Sequence, residues 1–382
     1  MQLKAANSSG RTLGVLHPAF ALTGVLHVVG GALLPSLASL FHLSDSDSGL
    51  LFLLYFAGTS MGALLCRGNY VRMMALGFLG VAVCCLAITA ATRPMLPIVF
   101  LLLGISVGVP MSAISLFVGR AYPERCAPML TFLNFSWSAG ALAAPLLAAR
   151  ILVHHTYTAA YLLFAVASAV AAVACGLMIE EASEAARPTS EIRKYATLSL
   201  VIVFAFAAFL QVGIENTVAA WLPTYALRIA GSGFALAAAS ASFYWFGFLA
   251  SRGFSSLLLM RAEPARVFRV AVAVALAAAI VLACVPSVAG RSVAMFFLGA
   301  ALAPIYPLVI AGSMAKFRRT SDSRWVLATA GFGGSVLPWL AGLISAHTGS
   351  LRMGMLTIPA ALLLMAFVLP VLRGPRLVAT DS

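Results

Sequence analysis

Along nearly the whole chain, apolar runs of roughly 20 residues alternate with short polar breaks. A helix rises 1.5 Å per residue, so such a run is long enough to cross a hydrocarbon core about 30 Å thick. The pattern predicts twelve membrane helices, at residues 13–41, 49–66, 73–92, 95–118, 128–151, 157–179, 196–226, 234–257, 266–286, 291–314, 325–347 and 351–372. Most breaks are short, as at Ser44-Asp45-Ser46-Asp47-Ser48 and Thr92-Arg93-Pro94. One is long. From Glu180 to Lys194 the chain carries four glutamates, three basic residues and Pro188. That segment predicts six-helix bundles at 1–179 and 196–382, joined by a central loop at 180–195.

The halves echo each other. Tyr55-Phe-Ala-Gly58 in the second span is matched by Tyr244-Trp-Phe-Gly247 in the eighth, and Gly140 with Pro145 in the fifth by Gly333 with Pro338 in the eleventh. Leu103-Gly104 ahead of Pro110 in the fourth span is matched by Leu298-Gly299 ahead of Pro304 and Pro307 in the tenth. A repeat of this kind implies two similar bundles with a site between them near mid-membrane. Glycine lets helices approach closely and proline weakens the local ladder, so these residues serve packing, bending or both.

Composition removes the soluble alternatives. The chain is 62% hydrophobic and 9% charged, whereas a water-facing surface requires about 25% charged residues. The net charge of +13 would suggest nucleic acid in a soluble protein, but its distribution explains it as topology. With the N-terminus inside, the cytoplasmic face collects 19 Lys and Arg, Arg252 among them, and the outer face keeps Arg93, Arg150, Arg228, Arg291 and Arg352. The expected location is therefore a cell inner membrane, with both termini cytoplasmic and no nucleic-acid partner. The first apolar run is too long for a signal-peptide core and lacks a small-residue cleavage site, so it is expected to remain as a helix. The six cysteines lack metal-ligand spacing and read as small buried hydrophobes. No dimerisation signal stands out, and a monomer surrounded by lipid is expected.

Candidate chemistry centres on one carboxylate. Every acidic residue except Glu215 falls in a loop, at a helix end or at the C-terminus. A carboxylate in the bilayer costs at least a few kcal/mol, so such a group usually serves a pathway, a relay or a ligand. Glu215 can carry a proton across, accept hydrogen bonds from solute hydroxyls, or be a structural group satisfied by an arginine or the backbone. Gln211 lies one turn away on the same face, and Asn216 is adjacent. Tyr244 and Trp245 lie mid-span, where a ring with a polar edge suits the apolar face of a sugar. Asn134, Trp137 and Ser138 form one stripe at i, i+3 and i+4, with Asn134 either a ligand or interhelical glue. Of His17 and His27 in the first span, His27 lies deeper and is the better proton relay. Tyr55, Tyr306 and Trp339 are further cavity candidates. No Gly-rich phosphate loop, metal motif or nucleophile elbow is present, so no cofactor, ATP hydrolysis or enzymatic chemistry is expected.

These residues resemble the major facilitator superfamily and, within it, the fucose/galactose/glucose–cation symporters. Gln211-Val-Gly213-Ile-Glu215-Asn216 leading to Trp221 and Tyr225 is similar to that family's Gly-x-Glu, Trp, Tyr pattern. Ser242-Phe-Tyr-Trp245-Phe-Gly247 leading to Arg252 is similar to its eighth-helix pattern, with Ser251 where Gly is usual. Gly299 through Pro304 to Pro307, and Gly333 to Pro338, resemble its tenth and eleventh helices. Arg67-Gly-Asn-Tyr-Val-Arg72 follows the superfamily's loop pattern only loosely, without its Asp. The acidic residues that the fucose carriers hold in helices 1 and 4 are absent. The resemblance implies an all-α fold of twelve helices in two pseudo-symmetric bundles, alternating access, and a sugar or polyol in the central cavity. The resulting expectation is secondary active uptake of a monosaccharide-like solute coupled to H+ or Na+. A multidrug or metabolite exporter on the same fold is the alternative, and a membrane-embedded enzyme is a more distant one.

Overall fold

Glycine at helix contacts and proline within helices account for most of the architecture. A computed structural model describes residues 2–122, 126–179, 198–230, 233–259, 262–285, 287–316 and 320–367. The central loop at 180–195, the end of the last predicted span and the C-terminal arginines lie outside the described residues. The described chain is almost wholly helical, with no strand among the described residues. The helices are α1 (Gln2–Phe41), α2 (Asp45–Leu65), α3 (Tyr70–Thr89), α4 (Leu96–Ala121), α5 (Cys126–His154), α6 (Tyr157–Met178), α7 (Leu198–Ala230), α8 (Phe234–Ser240), α9 (Ser242–Leu259), α10 (Pro264–Cys284), α11 (Val288–Leu302), α12 (Ile305–Lys316), α13 (Thr320–Thr348), α14 (Leu351–Met355) and α15 (Thr357–Ala366). Eleven helical stretches among the described residues are long and apolar enough to cross a membrane, and Leu351–Ala366 forms a shorter twelfth.

Three spans expected to be continuous are broken. The tenth divides into α11 and α12 around Ala303 and Pro304, because proline lacks an N–H and its ring clashes with the carbonyl four residues back. The eighth divides at Ala241, whose N–H turns to the Ala238 carbonyl at 3.3 Å while the Ser240 hydroxyl donates to Ala237 at 2.7 Å. The twelfth divides at Leu356, just ahead of Pro359, and there the Thr357 hydroxyl donates to the Gly354 carbonyl at 2.8 Å. The first helix extends back to Gln2, while its apolar stretch begins at Thr12, next to the expected 13.

The repeat read from the sequence reappears as matching contacts. A Cβ on Gly104 of α4 would collide with the Tyr55 carbonyl of α2, and one on Gly299 of α11 would collide with the Tyr244 carbonyl of α9. Gly140 of α5 presses on Ala21 of α1 as Gly333 of α13 presses on Phe209 of α7. Backbones this close gain dispersion contacts that lipid does not supply, which is how helices associate without a hydrophobic drive.

At the end carrying the 42–44 and 90–92 turns the two sets of helices are joined by an ion pair. The polar run there was read as a connection, but α2 starts inside it because Ser44 and Asp47 form a capping box, with bonds of 3.1 and 2.9 Å. The cap sets Asp45 in the first turn, aimed across the seam. Arg228 of α7 grips both of its oxygens, at 2.5 and 2.7 Å, and Ser345 of α13 donates to it as well. Gly49 and Gly342 leave the room for this approach, each facing backbone of the opposite helix. This end of the seam is shut.

Candidate functional site

Breaks in helices create carbonyls without donors, and in lipid these must be satisfied by side chains. Leu302 ends α11, and Gln211 Nε2 donates to its carbonyl at 3.0 Å. Gly334 stands four residues before Pro338 and so has lost its helical donor; Asn216 Nδ2 supplies one at 3.1 Å. Trp221 Nε1 donates to the Pro338 carbonyl at 2.8 Å, and Tyr55 OH to the Leu26 carbonyl at 3.0 Å. The kinks that sequence associates with motion thus dictate much of the polar content of α7.

The same residues reach across the seam. Asn216 Oδ1 faces His27 Nε2 at 3.3 Å, tying α7 to α1. The His27 ring lies 5.5 Å from Trp137 of α5, and Trp137 meets Trp245 of α9 edge-on at 5.9 Å. Trp245, Phe248 and Arg252 follow at i, i+3 and i+7, hence on one face of α9. The Arg252 guanidinium sits 4.5 Å over Phe248 and 5.8 Å from Trp137, and its Nη1 donates to Ser138 Oγ at 2.9 Å. Glu215 makes no hydrogen bond or ion pair with a described residue. Arg252, Tyr244 and Tyr306 are the ionisable groups that interact with it through space.

What remains unpaired is informative. Buried polar atoms in native proteins nearly always have partners, and each one left bare costs about 1–3 kcal/mol. Of the buried polar atoms without a partner, among them the hydroxyls of Ser36, Ser168, Thr224 and Ser242, five lie near the seam: His27 Nδ1, Trp137 Nε1, Gln211 Oε1, Tyr244 OH and Arg252 Nε. They come from α1, α5, α7 and α9, the helices that meet at the seam. Donors and acceptors are both present, the complement that hydroxyl groups satisfy. Beside them lies an apolar void against His27 and Gly30 of α1, Phe52 and Tyr55 of α2, Tyr161 of α6 and Ala219 of α7, with room for about one water.

Of the residues singled out in the sequence, the structure gathers His27, Trp137, Gln211, Glu215, Asn216, Tyr244, Trp245 and Tyr306 around this seam, with Tyr55 behind His27 at 6.2 Å. Asn134 lies apart: its amide returns to its own helix at the Leu130 carbonyl, 2.8 Å away, and the residue is exposed. Trp339 lies apart too, its backbone packed on Gly49 at the shut end. His17 pairs with Ser136 at 2.8 Å and packs on Phe132. Arg252, counted among loop charges, instead lies within the apolar stretch Phe234–Phe254. Its place one face-repeat beyond Trp245, inside a predicted span, was the available signal.

A family model described as Major Facilitator Superfamily matches residues 18–323. The chain belongs to that superfamily. It is 22% identical over 367 residues to the glucose/mannose transporter GlcP of Bacillus subtilis (strain 168), covering 90% of each chain. Among solved structures it resembles a D-xylose-proton symporter with a TM-score of 0.76 at 14% identity, covering 94% of this chain and 98% of that one. It also resembles FucP in the outward conformation, with a TM-score of 0.64 at 17% identity, covering 95% and 98%. At such identities the structures establish the fold. The superfamily's twelve-helix, two-bundle architecture is therefore that of this chain, a multi-pass membrane transporter rather than an enzyme.

Proposed function

We propose that this major facilitator protein is a proton-linked uptake carrier for a monosaccharide-like solute, bound at the seam around Glu215. The observation that carries the reading is the set of five unpaired buried polar atoms in His27, Trp137, Gln211, Tyr244 and Arg252. A polyhydroxy solute satisfies donors and acceptors together, and the Trp137–Trp245 pair offers ring faces and edges for its apolar side. Glu215 is the coupling group in this reading. It is the one carboxylate deep in a span, and no described residue is bonded to it, which leaves it free to exchange a proton. The curated relative named for glucose and mannose, and the neighbour named for xylose and protons, point the same way. In this reading the protein sits in a cell inner membrane with the shut Asp45 end outside, which the cytoplasmic bias of Lys and Arg supports. The protein acts as a monomer in lipid, and Na+ is the less favoured coupling ion.

The test is transport in proteoliposomes with a panel of labelled hexoses and pentoses, with wild type beside Glu215→Gln. Wild type should accumulate one of them when an inward proton gradient is imposed, and the variant should not accumulate it. No sugar moved by wild type would refute the reading and favour a metabolite exporter. Accumulation that follows sodium and ignores protons would refute the choice of ion.

A further inference from the structure

A mobile proton on Glu215 does no work unless its presence changes the contact between the two bundles. The structure holds a side chain placed to make that link. Arg252 donates through Nη1 to Ser138 Oγ at 2.9 Å, and this bond runs from α9 in the second half to α5 in the first. The guanidinium is also the cation whose charge acts on Glu215, which stands on α7 in the same half as Arg252. It lies over Phe248 at 4.5 Å, where an arginine is attracted to the ring face without being fixed in one bonding direction. Its Nε is buried and unpartnered. A guanidinium with five donors and so few of them used has bonding capacity to spare.

We infer that Arg252 is the positioning residue that couples the Glu215 proton to the seam, by moving between Ser138 of one half and Glu215 of the other. The inference rests on the proposed proton-linked reading. With Glu215 protonated, its carboxyl offers no net charge, and Arg252 stays on Ser138, holding α5 to α9. When the proton leaves Glu215 for water, the carboxylate attracts Arg252 more strongly than the Ser138 hydroxyl does, because two opposite full charges attract more than a charge and a hydroxyl dipole where water is scarce. The bond to Ser138 is then given up and the halves are released along α5 and α9. The other ionisable groups whose charges meet at Glu215 and Arg252 are Tyr244 on the same helix and Tyr306 on α12, and His27 faces the neighbouring Asn216. Among the described residues Tyr244 and Tyr306 carry no positive charge in any state, and His27 is bonded to Asn216 rather than to Glu215.

The experiment compares wild type, Arg252→Lys, Arg252→Gln, Ser138→Ala and Arg252→Gln/Glu215→Gln in proteoliposomes, with thermal midpoints measured in detergent as a folding check. The readout is the ratio of gradient-driven accumulation to solute exchange, together with the pH profile of exchange. We expect Arg252→Gln to bring the accumulation ratio down to the Glu215→Gln value, the double variant to fall no further, and Arg252→Lys to restore part of the ratio. Ser138→Ala keeps the charge and removes only the partner, so its pH profile of exchange should move to more acidic values by about half a unit. That shift carries the test if Arg252→Gln does not fold. An unchanged accumulation ratio in Arg252→Gln, additive losses in the double variant, or an unmoved profile in Ser138→Ala would overturn the inference. Failure of wild type itself to accumulate a sugar on a proton gradient would instead refute the proposed function.

Discussion

Removing the charge at Asp45 should open the shut end of the seam. The Asp45 carboxylate is bound by both terminal nitrogens of Arg228, at 2.5 and 2.7 Å, and by the Ser345 hydroxyl. Bonds of this kind to a charged group are worth about 1.5–3 kcal/mol when shielded. Asp45 is 11% exposed but Arg228 is 46% exposed, so screening reduces the net latch to about 2 kcal/mol. If the closed state leads the open one by about that amount, about one molecule in 30 is open, and Asp45→Asn should bring the two to near parity. Spin labels at Thr92 and Thr348, exposed on opposite halves of this end, would report the distance by double electron–electron resonance. Cys284, the exposed cysteine among the described residues, is replaced beforehand. The variant should show a second, longer-distance population holding tens of per cent of the molecules. A distribution identical to that of the parent would show that the ion pair is not a latch, and that the apposed glycines alone hold this end.

The remaining predictions concern packing and the unpaired atoms. Gly104→Val and Gly299→Val should each lower the thermal midpoint in detergent, by a destabilisation of about 1–3 kcal/mol, because a side chain there meets a backbone carbonyl that cannot move aside; Gly30→Ala, with open space around it, should change little. Tyr244→Phe removes a buried hydroxyl without a partner, so stability should hold or rise by up to about 1–2 kcal/mol while apparent solute affinity falls about tenfold. A loss of stability with affinity intact would mean that the hydroxyl serves the fold. Asn216→Leu should cost about 2–4 kcal/mol, since it strips the Gly334 carbonyl and His27 of their partner in one step, and a midpoint within a degree of wild type would contradict the bonding described.

Much of the fold was legible because the bilayer imposes it. Span length, loop charge and the Tyr-x-x-Gly and Gly-to-Pro echoes are local patterns, and the contacts of Gly104 with Tyr55 and Gly299 with Tyr244 repeat them in three dimensions. The broken spans were less legible. A proline signals a weak point, but it says neither whether the helix merely bends, as at Pro338, or stops, as at Pro304, nor which side chains arrive to serve the carbonyls left bare nearby. Gln211 and Asn216 are those side chains, and nothing in their spacing names Leu302 or Gly334 as partners 91 and 118 residues away. Asn134 shares a helical face with Trp137 and Ser138, yet it bonds its own backbone, an option any mid-helix amide has and periodicity does not resolve. Arg252 was misread for a different reason: a basic residue a few positions from a span end fits the loop-charge rule equally well, and only the Ser138 bond shows it turned inward.

The most direct test of the central claim follows protons and solute together. Proteoliposomes holding the wild-type protein are suspended in weakly buffered medium with no imposed gradient, and the sugar found to be transported is added outside. A carrier that loads a proton on Glu215 with each solute should make the medium more alkaline as sugar enters, and Glu215→Gln should abolish the pH change. Sugar entry with no pH change in the wild type, or an undiminished change in Glu215→Gln, would contradict the assignment of Glu215 as the coupling site.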